Sequence, residues 1–118
     1  MRVRAARGAI TVERDDARLV LDATARLLTQ MLEENTIDTA EVVSIFFTAT
    51  EDLRSAFPAE AAREVGLTDT ALLCAREIDV PGSVPRVVRI LLHYNTDADA
   101  RVRDVYLEGA KNLRPDRV

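Results

Sequence analysis

Covalent and metal chemistry have little to work with in this chain. Among its 118 residues there is one cysteine and one histidine. A single cysteine excludes an internal disulfide framework and suits a reducing compartment, so the cytoplasm is the expected location. Cys74 and His93 have no companions at metal-ligand spacing, so no metal site is expected. The motifs of a nucleophile elbow, a P-loop and a dinucleotide-binding turn are all missing. No apolar run approaches the ~20 residues that a membrane span needs. The start, M-R-V-R-A-A-R-G, has no uninterrupted apolar region, so no secretory signal is expected. A net charge of −4 gives no support to a nucleic-acid surface. Lysine is almost absent too: 15 of the 16 basic residues are arginine, and Lys111 is the exception. An arginine is therefore ordinary here, and its position must say whether it has a function.

What is present is ordinary globular composition, 47% hydrophobic and 31% charged, at a length that fits one domain. Such a chain builds a modest core, and oligomerisation would let it bury more surface. The stretch that organises the rest runs from Cys74 to Tyr94. It reads as a strand end, a turn marked by Pro81-Gly82, and a long strand. Arg89 stands in that strand between Val87, Val88, Ile90, Leu91 and Leu92. A guanidinium within such a run calls for a carboxylate partner or an anionic ligand, because a buried unpaired charge is costly.

In chain order, residues 2–11 alternate as a strand, with Val3, Ala5, Arg7 and Ala9 on one face and Ala6, Gly8 and Ile10 on the other. Gly8 permits close backbone approach. Residues 16–34 carry a helical stripe of Val20, Ala23, Leu27, Leu28, Met31 and Leu32. Asp15 or Asp16 caps its start, and Asn35 is expected in the left-handed conformation at its end. Residues 42–50 are β-branched and aromatic on both faces, which predicts a strand covered on both sides or covered on one side by a subunit partner. A short helix is expected over 58–65, with Gly66 as terminator and Phe57 stapled to the core just before it. Strands follow at 70–76, 86–95 and 104–108. In the second of these, Val88, Ile90, Leu92 and Tyr94 share one face, and Val87, Arg89, Leu91 and His93 the other. His93 is read as a packed or interface histidine. The order is β-α-β-α-β-β-β, an α/β (α+β) domain with a mixed sheet packed by one long and one short helix. Residues 111–118 are expected to be a mobile tail.

The chemistry left by elimination is arginine, one glutamate and phenolic groups. Arg7, Arg89 and Arg114 could converge on an anion, with Arg63 approaching from the short helix. Arginine binds carboxylates bidentately and stays charged. Glu77 is either a structural ion-pair partner of Arg89 or part of a site. Periodicity leaves these two readings open.

The whole chain resembles the small monofunctional chorismate mutases of the trimeric α/β (AroH) type. The matching segments are R-G-A-I-T-V-E-R-D at 7–15, T-A-T-E-D-L at 48–53, F-P-A-E-A-A-R-E at 57–64, C-A-R-E-I-D-V at 74–80, R-V-V-R-I at 86–90, V-Y-L-E at 105–108 and L-R-P-D at 113–116. The resemblance implies rearrangement of chorismate to prephenate, on the route to phenylalanine and tyrosine. It implies no cofactor and no metal. It also implies a homotrimer with a barrel-like sheet core and sites between subunits. By position, Arg89 resembles the arginine that meets the ether oxygen, and Glu77 with Cys74 resemble the groups that engage the ring hydroxyl. Arg7 and Tyr106 resemble carboxylate-binding residues, and Phe57 an apolar wall. Arg63 and Arg114 resemble basic residues at the pocket mouth. Leu73 stands where a polar residue often precedes the cysteine, which implies contact through its backbone. Glu60 departs from the usual lysine of its segment and cannot supply positive charge. The alternatives are a non-catalytic anion-binding trimer of the same fold and an enamine/imine deaminase on a similar trimeric fold. The joint presence of Arg7, Cys74, Glu77, Arg89 and Tyr106 argues against the first.

Overall fold

The structure is a computed structural model and describes residues 1–113 of the 118. Strand β1 spans Arg2–Thr11, and its pairing with the strand beside it runs from Arg2 to Thr11 without a register shift. Helix α1 follows at Ala17–Glu34, with the Asp16 carboxylate accepting from the Leu19 amide at 3.1 Å. Its buried stripe holds Val20, Leu21, Thr24, Leu27, Leu28, Met31 and Leu32. Thr24 is tolerated in that stripe because its hydroxyl donates to the Val20 carbonyl at 2.7 Å.

The end of α1 differs from expectation. Asn35 has φ −102°, and the left-handed residue is Thr36 at φ 49°. Asn35 serves with its side chain instead. The amide nitrogen donates to the carbonyls of Met31 (3.0 Å) and Arg103 (2.9 Å), and its oxygen accepts from the Arg103 amide at 2.7 Å. The helix end is thereby tied to the segment that leads into the last strand.

Strand β2 covers Val42–Ala49, helix α2 Glu60–Glu64, β3 Ala71–Arg76, β4 Val87–Thr96 and β5 Val105–Leu107. Helix α2 ends at Gly66, whose φ of 96° suits a residue without Cβ. Phe57 does not staple this helix to the core; it is 69% exposed. Short 3₁₀ helices occupy Thr39–Glu41 and Glu108–Asn112. Residues 111 and 112 of the expected tail thus belong to regular structure, while 114–118 lie outside the described residues.

The sheet order is β3-β2-β4-β1-β5. β4 lies in the middle, antiparallel to β1 and β2; β5 runs parallel to β1 and β3 parallel to β2. Both helices cover one face of this mixed sheet. There Ile10, Ile45, Phe47, Ile90 and Leu92 pack with the stripe of α1 as the main core. Gly8 lies under α1 so closely that an added Cβ would stand 2.5 Å from Met31 Sδ. The opposite face is largely open. Val3 is 59% exposed, Phe46 40% and Leu73 56%. At one end of that face the last 3₁₀ helix folds over it, and Ala9, Val87, Tyr106 and Ala110 form a second small cluster.

Candidate active site

The site is built by register across the open face. Thr48 of β2 lies opposite Arg89 of β4, Arg89 lies opposite Ala9 of β1, and Ala9 pairs with Tyr106 of β5. One row across four strands therefore reads Thr48, Arg89, Ala9, Tyr106. Arg7, two residues along β1, stands on the same face beside it. The small Ala9 side chain leaves space between the longer ones. The result is a cleft of about 280 Å³ lined by Arg7, Phe46, Thr48, Glu77, Arg89 and Tyr106 among others.

Glu77 reaches this row from just beyond β3. Its amide donates to the Ala49 carbonyl at 2.9 Å, which prolongs the pairing with β2 by one residue. One carboxylate oxygen, Oε2, accepts from the Thr48 hydroxyl. The other, Oε1, lies 3.2 Å from Arg89 Nε. The Glu77 side chain is 20% exposed and the Arg89 side chain 45%, so this pair stands at a cleft wall rather than in the core. Arg89 meets the demand of its apolar strand by pointing to the face without helices.

Arg7 is anchored by Asp104. The Arg7 amide donates to Asp104 Oδ1 at 3.0 Å, and the guanidinium lies 3.7 Å from Oδ2. The Asp104 side chain is only 6% exposed, so this carboxylate acts from below while Arg7 stays accessible. The start of β4 is held just as firmly. Asp52 accepts the Arg86 amide at 3.0 and 3.2 Å, and Thr50 Oγ1 donates to Asp52 at 2.5 Å while accepting the Val87 amide at 3.0 Å. These contacts secure Arg86 in the left-handed region at φ 50°. They also set the register that delivers Arg89 to the cleft.

Two guanidinium groups and one carboxylate, with a phenol near them, therefore surround a half-open cavity. Such a site can hold a small anion with carboxylates and at least one hydroxyl group. Among the described residues, no group of three or more His, Cys, Asp or Glu could hold a metal ion, and no helix is long and apolar enough to cross a membrane.

The family model for chorismate mutase type I matches residues 3–117. The chain belongs to the type I chorismate mutase family. It is 55% identical over 116 residues to the chorismate mutase AroH of Thermus thermophilus, covering 97% of this chain and 95% of that one. It is 40% identical over 118 residues to the chorismate mutase AroH of Bacillus subtilis, with 98% and 93% covered. The solved structure of a chorismate mutase from Clostridium thermocellum superposes with a TM-score of 0.90 at 48% identity, covering 93% of this chain and 99% of that one.

Against the type I mutase resemblance, four of the expected residues, Arg7, Glu77, Arg89 and Tyr106, meet in one cleft. Cys74 and Phe57 do not join them within the chain. Cys74 pairs with Phe47 across β2 and β3 and packs against the main core, so its side chain lies on the helix side. With Phe57, Leu53 and Glu60 it lines a second cleft of about 550 Å³. Leu73 alternates to the open face. Arg63 is exposed on α2, and Arg114 lies outside the described residues. The sequence reading passed over Thr48, Asp52 and Asp104. The segment T-A-T-E-D-L held the signal for Asp52, since hydroxyl and carboxylate residues directly after a strand commonly bind nearby backbone; Thr48 lies inside β2, and its hydroxyl meets a side chain from beyond β3.

Proposed function

We propose that the protein is a chorismate mutase, which rearranges chorismate to prephenate in phenylalanine and tyrosine biosynthesis, in the cytoplasm. The observation that carries this is the convergence of Arg7, Glu77, Arg89 and Tyr106 in one cleft on a chain of the type I family. The reaction is an isomerisation: one ether C–O bond breaks as one C–C bond forms in a single cyclic shift of electron pairs. No proton needs to move and no enzyme adduct forms. The protein has two tasks, to hold the compact conformer and to stabilise charge as the ether bond breaks.

In this reading Arg89 meets the ether oxygen, where negative charge grows. Its ion pair approaches through Nε, 3.2 Å from Glu77 Oε1. Arg7 and Tyr106 hold a carboxylate, and Glu77 accepts from the ring hydroxyl. Cys74, Phe57, Leu73, Arg63 and Arg114 complete the site from a neighbouring subunit of a homotrimer whose open sheet faces form a barrel-like core. Two observations support that assembly. The open face carries Val3, Phe46 and Leu73 uncovered. The Phe57–Cys74 cleft lies on the other side of the sheet from Arg89. No cofactor or metal has a step in this scheme. One domain spans 1–118 in this reading.

The deciding experiment follows the loss of chorismate absorbance with purified protein. Acceleration over the spontaneous reaction is expected. Absence of acceleration, with the protein folded, would favour the non-catalytic anion-binding reading, for which Glu60 in place of the usual lysine speaks.

A further inference from the structure

We infer that Thr48 is a positioning residue of the site, which keeps Glu77 from closing onto Arg89 and so leaves the Arg89 guanidinium available to substrate. This rests on the chorismate mutase reading above.

Glutamate and arginine prefer the forked arrangement in which both carboxylate oxygens accept from the guanidinium. Glu77 and Arg89 are close enough to begin it, with Oε1 3.2 Å from Nε. A full fork would occupy a terminal nitrogen of Arg89 as well and neutralise it in a closed pair. The structure shows the second oxygen engaged elsewhere: Oε2 accepts from the Thr48 hydroxyl. Thr48 is directly opposite Arg89 in the β2–β4 register, so its Oγ1 is brought to the carboxylate by the same ladder that places the arginine. Neighbouring charge does not replace it. Arg7, the other cation of the cleft, is bound to Asp104, and Tyr106 is drawn into the second small cluster by β5. Thr48 thus divides the two oxygens of Glu77 between itself and Arg89. The geometry has a consequence for the rate. An arginine held by one contact can turn its remaining donors to an oxygen that gains charge only in the transition state; a forked arginine cannot.

The test compares Thr48→Val, which swaps the hydroxyl for a methyl and retains a β-branched strand residue, with Thr48→Ser, which keeps the hydroxyl. Thr48→Val should lower kcat roughly 10–100-fold, the range for losing a hydrogen bond to a charged group, with a much smaller change in KM. Thr48→Ser should remain near wild type. In a Glu77→Gln background Thr48→Val should bring no further loss, because the effect runs through Glu77. Crystal structures of the wild type and Thr48→Val supply a readout independent of activity: both Glu77 oxygens should lie within hydrogen-bonding distance of Arg89 in the variant. The inference is overturned if Thr48→Val keeps kcat, if Thr48→Ser loses as much, if the losses add fully, or if Glu77 keeps its pose in the variant crystal. A wild-type protein inactive on chorismate would instead remove the functional reading beneath it, and the two crystal structures would still decide whether Thr48 holds Glu77 off Arg89.

Discussion

Gly8 joins the stability of this fold to its site, and Gly8→Ala tests that link. The added Cβ would stand 2.5 Å from Met31 Sδ, 3.1 Å from Leu27 Cδ1 and 3.2 Å from the Val105 carbonyl oxygen. Met31 is a flexible side chain, but it is fully buried, so its rotation must displace other core atoms. The Val105 carbonyl is backbone of β5 and can yield only if that strand moves. Overpacking of this kind costs about 1–3 kcal/mol. Replacing glycine by alanine at a compatible backbone conformation returns about 0.4–1 kcal/mol through the unfolded chain. A net loss of about 1–2 kcal/mol is expected. With an unfolding entropy near ~2.1 cal/mol/K per residue, that lowers Tm by roughly 4–8 °C. Thermal unfolding at one fixed protein concentration measures it, since an oligomer's Tm depends on concentration. Met31→Ala should relieve the clash, so the double variant should lose less than the two single variants combined. A Tm equal to or above wild type for Gly8→Ala would refute the close packing of β1 against α1. Because Val105 adjoins Tyr106 in β5, activity should fall as well.

Three other outcomes are expected. Arg89→Ala should lower kcat by at least ~10²–10³-fold, the loss typical of one preorganised donor; a near wild-type kcat in stopped absorbance assays would remove its assigned role. Mixing inactive Arg89→Ala chains with inactive Phe57→Asp chains, followed by refolding together, should restore part of the activity if neighbouring subunits share each site; no recovery in mixed oligomers confirmed by native mass spectrometry would leave Phe57 without the proposed part. Asp15 has its carboxyl held below the usual range chiefly by the Ser55 side chain, with the Arg54 and Ser55 amides helping against partial desolvation. A lowered folded value means that its contribution is present above the ordinary Asp pKa of ~3.9 and is lost as pH falls through the folded value. Asp15→Asn should therefore narrow the difference between stability at neutral pH and in acid, read from urea unfolding at both.

Much of the fold was legible because alternation and helical spacing are local. β1, α1 and β4 sit where their patterns place them, and β4 carries Val88, Ile90, Leu92 and Tyr94 inward. The misses have identifiable physical causes. Asn35 was expected in the left-handed conformation, but its amide found carbonyls at Met31 and Arg103, and the second lies far off in sequence. Phe57 was expected as a staple, but the helix that follows begins without a side-chain cap, and the ring stays in solvent. Residues 42–50 were read as covered on both faces or on one by a partner. Within the chain only one face is covered and Phe46 on the other is 40% exposed, which sets aside the first of these and is compatible with the second.

The amino-acid sequence alone determined which residues form each element and which share a strand face, because side-chain alternation depends only on neighbours along the chain. It was enough to put Arg89 and Leu91 on one face of β4 and Val88, Ile90 and Leu92 on the other. Only the tertiary structure decided that β4 enters between β1 and β2. That order brings Thr48, Arg89, Ala9 and Tyr106 into one row. It also decided that Cys74 and Glu77, three positions apart, serve opposite sides of the sheet. Strand order comes from pairing between distant segments, whose cost is loop closure and whose gain is a shared core. Neither quantity is written in the period of any single strand. In the proposed reading, a threonine that this order sets opposite Arg89 decides between a mere ion pair and a substrate-ready arginine.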